Sequence, residues 1–131
     1  MMGEADHGVG GIEWRSVVLN SPDPQALARF YAKLLGWQIR SDEPGWATIV
    51  GPLGERHYLG FQKEDLYVRP VWPAKQGEPQ MMMHLDIHVE DLDAACTWAK
   101  ACGAVLADFQ PQDDVRVHLD PDGHPFCLWR G

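Results

Sequence analysis

Residues 81–89, MMMHLDIHV, place titratable groups at alternate positions. Successive side chains of a strand point to opposite faces, so Met83, Leu85, Ile87 and Val89 share one face and Met82, His84, Asp86 and His88 share the other. A neutral imidazole works as a general base near pH 7, and a carboxylate at its second nitrogen raises its basicity. His84 and Asp86 are therefore the candidate catalytic pair; the plainer reading of the same residues is a hydrogen-bonded polar wall. His88 lies four positions from His84, roughly 13–14 Å along a flat strand, too far for the two to hold one ion directly.

Further candidates lie near the end of the chain. Cys127 is a nucleophile only where a nearby cation or imidazole lowers its pKa, and otherwise it packs. Arg116 and His118 alternate with Val115, Val117 and Leu119. They share a face from which they suit an anionic group on a ligand, Arg116 by its planar fork. Six tryptophans are many for this length. Trp14 shares parity with Ser16, and Trp129 with Cys127, and flat rings at such places stack on flat ligands. Trp37 and Trp98 read as packing residues, Trp46 and Trp72 as loop or lid residues. Met82 brings a pliable thioether to the face of His84. Phosphate-loop, dinucleotide, serine-hydrolase and zinc-protease spacings are missing.

Composition narrows the partners. The 131 residues suit one domain. Eleven Lys and Arg against nineteen Asp and Glu give −8, which opposes nucleic acid and anionic membranes. No apolar run has the roughly 20 residues of a membrane span, and no signal-peptide pattern opens the sequence. Three cysteines without a CxxC spacing fit reduced thiols and a cytoplasmic location. A small molecule is the partner left.

The elements that must position these residues come twice. Residues 1–11 are Gly-rich and read as a disordered leader. Residues 12–20 read as a strand, and SPDPQALARFYAKLLGW as a helix capped by Ser21 or Asp23 and stopped by Gly36. Strands are expected over 37–40, 46–50 and 57–62. A Pro-rich linker over 64–80 follows, and then the order repeats: a strand over 81–89, a helix from Asp91 to Gly103, and strands over 104–107, 115–119 and 125–129. Asp23 and Asp91, Ala-Lys at 32–33 and 99–100, Gly36 and Gly103, and the turns GPLG and DPDG recur after 67 to 69 positions. One diverged duplication, with modules over 12–63 and 81–131 facing each other in a single domain over 12–131, accounts for this. The acidity is uneven, since residues 79–131 carry three basic and nine acidic groups.

These elements resemble the vicinal oxygen chelate superfamily, the glyoxalase, bleomycin-resistance and extradiol-dioxygenase group. The segments that carry the resemblance are SPDPQALARFYAKLLGW, HLDIHVEDLDAACTWAKACGA and LDPDGHPFCLW. The resemblance implies an α+β fold of two tandem βαβββ modules forming a curled mixed sheet around a cleft, with helices on the convex face. It also implies a small-molecule ligand and frequent homodimers. Metalloenzymes of the group hold a divalent ion with His and Glu side chains on the first and last strands of each module. Carried over by position, those places fall on His84, on Ser16, on Cys127 and on Gly60 or Tyr58. Only His84 is a good ligand, so no cofactor is expected, and a divalent metal, if present, would use His84.

The expectation is a glyoxalase-like protein binding a planar or aromatic molecule without the usual metal. Its ligand residues would come from Trp14, Ser16, Met82, His84, Asp86, His88, Arg116, His118, Cys127 and Trp129. Two alternatives remain open: a metal-dependent lyase, isomerase or dioxygenase using His84, and metal-free acid–base catalysis by His84 and Asp86.

Overall fold

The computed structural model describes residues 9–131. Of the leader expected over 1–11, residues 1–8 lie outside the described residues. The first module runs β1 (Ser16–Ser21), α1 (Pro24–Leu35), β2 (Gln38–Glu43), β3 (Trp46–Val50) and β4 (Tyr58–Lys63). The second runs β5 (Leu85–His88), α2 (Leu92–Cys102), β6 (Val105–Leu106), β7 (Val115–Leu119) and β8 (Pro125–Trp129). The sheets have the same topology, β1-β4-β3-β2 and β5-β8-β7-β6. In each, the first strand pairs parallel to the last and the other pairs are antiparallel. The fold is α+β, two βαβββ modules making an open curled sheet.

Local chemistry sets the helix ends. The Asp23 carboxylate accepts from the Ala26 N–H at 3.2 Å and that of Asp91 from the Ala94 N–H at 3.0 Å, each satisfying a free donor of the first turn. Gly36 and Gly103 end the helices with φ of 70° and 114°, which a side chain would resist.

Helix α1 buries Leu27, Ala28, Phe30 and Tyr31 against its own sheet and against the other module. The Tyr31 ring stacks on Phe61 of β4 at 5.8 Å and meets Phe126 of β8 edge-on at 5.9 Å. The Trp98 indole N–H of α2 donates to the Leu34 carbonyl at 3.1 Å. Cys96 and Cys102 pack against this shared core.

A polar knot also joins the modules. Asp120, in the turn between β7 and β8, is buried. It accepts from the Tyr31 hydroxyl at 2.8 Å, from the backbone N–H groups of Asp122 and His124, and from His124 Nδ1 at 2.8 Å. The Ser21 hydroxyl donates to Asp122 at 2.6 Å. The linker is tied to the same turn, because Tyr67 donates to the Asp122 carbonyl at 2.7 Å and Arg69 to that of Pro121 at 2.8 Å. Among the described residues, no helix is long and apolar enough to cross a membrane.

Candidate functional site

Strand β5 starts at Leu85, not at residue 81, because its parallel ladder with β8 pairs only Leu85–His88 with Phe126–Trp129. Within that ladder the alternation holds. Leu85 and Ile87 turn to the core, while Asp86 and His88 stand on the open side. Asp86 is the register partner of Cys127, and His88 of Trp129.

His84, just before the strand, reaches Asp86 with Nε2 at 3.1 Å from Oδ1. Donor atoms of His84, Asp86 and Cys127 all lie within 4.8 Å of one another. Burial raises the Cys127 thiol pKa first, and the Asp86 charge and a hydrogen bond to Asp86 raise it further. The sulfur is thus a thiol, not a thiolate, which opposes the nucleophile reading. His88 meets the Trp129 ring edge-on at 4.6 Å. A cavity of about 380 Å³ opens beside these groups, walled by His84, Asp86, Cys127 and Trp129 and closed by Gln112, Asp114 and Arg130. Those last three were not among the sequence candidates. They come from the polar run before β7 and from the chain end, and carry no motif.

The other sequence candidates lie elsewhere. Arg116 and His118 are not on the open side. Val117 pairs with Cys127, so its neighbours Arg116 and His118 pair with Leu128 and Phe126 and share the helix side with them. Arg116 donates to the carbonyls of Gln112, Asp113 and Val115, and holds the loop that precedes its own strand. His118 stacks on Phe126. Met82 precedes β5, is 85% exposed, and borders a different cavity of about 530 Å³ between β1, the linker and residues 81–83. That cavity is larger and is bordered by Glu64, Tyr67 and His124, but Tyr67 and His124 are already engaged with the turn between β7 and β8, whereas the His84 cavity gathers His84, Asp86 and Cys127. Trp14 precedes β1, is 61% exposed, and its ring lies 5.4 Å from His57. Ser16 opens β1 opposite Tyr58 in the first module. The four residues brought together are His84, Asp86, Cys127 and Trp129, with His88 at their edge.

A family model described as a glyoxalase-like domain matches residues 16–129, the first residue of β1 to the last of β8. The chain belongs to this family. A search of the curated proteins finds no match for this glyoxalase-like chain. Solved structures share the fold. A glyoxalase/bleomycin resistance protein/dioxygenase family enzyme from Burkholderia phytofirmans PsJN is 18% identical, with a TM-score of 0.68 over 91% of this chain and 98% of that one. A glyoxalase family protein from Enterococcus faecalis is 21% identical, with a TM-score of 0.65 over 89% and 96%. TnmS3, an antibiotic binding protein from Streptomyces sp. CB03234, is 17% identical, with a TM-score of 0.58 over 93% and 98%.

The metal set implied by the glyoxalase-like resemblance does not fit these residues. Its first-module places hold a serine, Ser16, and either Gly60, which has no side chain, or Tyr58. What remains is a different set, one imidazole, one carboxylate and one thiol, all from the second module. Such donors suit a borderline or soft ion such as zinc, and not magnesium or calcium.

Proposed function

We propose that this glyoxalase-like protein binds a small planar or aromatic organic molecule in the cavity beside β5 and β8, without the family's usual metal. The observation that carries this reading is the placing of Trp129 and the His84–Asp86 pair on one 380 Å³ cavity. Trp129 offers an apolar ring for stacking, and His84 and Asp86 offer hydrogen bonds that fix orientation. The likeness to an antibiotic-binding protein is compatible with a role in sequestering such a molecule. The domain is taken as 12–131, with modules over 12–63 and 81–131 joined by 64–80, and the working form as a cytoplasmic homodimer.

The test is a tryptophan-fluorescence screen of planar compounds with the wild type and with Trp129→Ala. Saturable quenching that Trp129→Ala abolishes supports the reading. No quenching by any planar compound, or quenching unchanged in Trp129→Ala, overturns it.

Two other readings each have an observation. The clustering of His84, Asp86 and Cys127 within 4.8 Å favours an enzyme using a divalent ion there. When bound, that ion would supply Lewis-acid polarisation of a ligand oxygen. Stoichiometric metal in purified protein, lost in His84→Ala, would establish it. The 3.1 Å contact of His84 with Asp86 favours metal-free acid–base catalysis. Turnover that survives chelation and fails in His84→Ala would separate this from both.

A further inference from the structure

A third cavity lies on the opposite face of the sheet from His84, against α2. Its volume is about 460 Å³, and Cys96, Thr97, Lys100, Ala104, Leu106 and His118 border it. His118 is 1% exposed, and its ring stacks on Phe126 at 5.5 Å and 20°. Leu106 is its register partner and stands beside it on the same face.

The ring's proton can be placed. His118 Nδ1 lies 3.3 Å from the Arg116 carbonyl oxygen. A carbonyl only accepts, so Nδ1 carries the hydrogen and Nε2 keeps its lone pair. Burial lowers the His118 pKa, which keeps the ring neutral at pH 7. Nε2 has no hydrogen-bond partner among the described residues. With Nδ1 turned to the backbone, Nε2 is the polar edge left for the cavity. The Thr97 hydroxyl already donates to the Asp93 carbonyl at 3.1 Å. The cavity therefore presents a ring nitrogen that lacks a donor among the described residues, beside a largely apolar wall.

This pattern selects among ligands. A cationic amine would donate to Nε2 but meets the like charge of Lys100. A carboxylate pairs with Lys100 but has no proton for the Nε2 lone pair. A neutral hydroxyl on an apolar ring satisfies both, since the ring also attracts an ammonium group. We propose that this cavity is a second ligand site, separate from the His84 cavity, that takes a phenol with its hydroxyl donating to His118 Nε2 and its ring against Ala104 and Leu106.

The test titrates the full chain with phenol and with toluene, following the ring nitrogens of His118 by NMR. Phenol should bind saturably, move the Nε2 resonance, and bind about tenfold tighter than toluene, the worth of one ordinary hydrogen bond. His118→Phe keeps a ring on Phe126 and should equalise the two compounds. Leu106→Arg, at a half-exposed position on the rim, should weaken both while leaving the near-ultraviolet circular dichroism unchanged. In Trp129→Ala phenol should still move the His118 Nε2 resonance, which reports on this cavity alone. Absence of saturable phenol binding overturns the proposal, as does a phenol preference that survives His118→Phe. Loss of the Nε2 shift in Trp129→Ala also overturns it, by moving the phenol to the His84 cavity.

Discussion

The Tyr31 hydroxyl of the first module donates to the Asp120 carboxylate of the second at 2.8 Å, inside the shared core. Asp120 also holds the turn from which β8 returns, so one carboxylate couples module packing to the strand that carries Cys127 and Trp129. Tyr31→Phe should therefore lower stability by about 1–2 kcal/mol in urea denaturation, since it removes one donor from a buried acceptor. Asp120→Ala strands several donors at once and should cost above ~3 kcal/mol. A loss for Asp120→Ala no larger than for Tyr31→Phe would show that the knot holds nothing together.

The same pair shapes the alkaline limit. Burial first, and then the Asp120 charge, raise the Tyr31 pKa well above its ordinary value of 10.0. A folded-state pKa above the unfolded one gives stability that is whole below pH 10.0 and is lost as pH rises beyond it. Spectrophotometric titration should show Tyr31 ionising only with unfolding. Tyr31→Phe should lose less stability per pH unit above pH 10.0 than the wild type.

His118 acts at the other end of the scale. Its folded pKa lies below 6.5 because of burial, so the unfolded chain takes up a proton first as pH falls. Its contribution is intact above pH 6.5 and is lost as pH drops from there towards the folded value. Denaturation midpoints between pH 7.5 and pH 5, the span of histidine titration, should fall less steeply for His118→Phe than for the wild type. Parallel slopes would show that His118 takes its proton without resistance.

Face assignment marks where sequence reading ends and register begins. The bounds of β3, β7 and β8 follow from alternation and turn residues, and both helices from their Asp caps and Gly stops. Parity also shows that Arg116 and His118 share a face. It does not say which face, because that depends on a ladder partner 10 residues away along the β7–β8 hairpin, where Val117 meets Cys127. Met82 and Trp14 fail for a related reason. Their segments alternate as strands do, but β8 and β4 do not run far enough to pair with them. The His84–Asp86–Cys127 cluster was legible in part, since His84 and Asp86 alternate in one segment while Cys127 joins them only through the parallel pairing of β5 with β8.

Trp46 illustrates a wall that spacing alone would not reveal. A Cβ added at Gly60 would come within 2.7 Å of the Trp46 ring and 3.2 Å of Val18, so the indole lies over the glycine on the open side of the first sheet. Gly60→Ala should push the ring away. The expected readings are a shifted fluorescence maximum and a loss of about 1–3 kcal/mol, the usual cost of overpacking. A Gly60→Ala variant with wild-type fluorescence and stability would place the indole elsewhere.

Asp86 controls Cys127 in the His84 cavity. The thiol sits in partly buried surroundings, its pKa raised first by burial and then by the Asp86 charge and hydrogen bond. Only the thiolate reacts with iodoacetamide, so Cys127 should alkylate slowly at pH 7.5. Asp86→Asn removes the negative charge, lets the thiol pKa fall, and should speed alkylation severalfold at that pH. Mass spectrometry of the peptide containing Cys127 separates it from Cys96 and Cys102, whose thiols are also raised by burial but not by Asp86. Their rates should be the same in both proteins. If Cys127 slows or holds its rate in Asp86→Asn, the carboxylate does not govern the thiol.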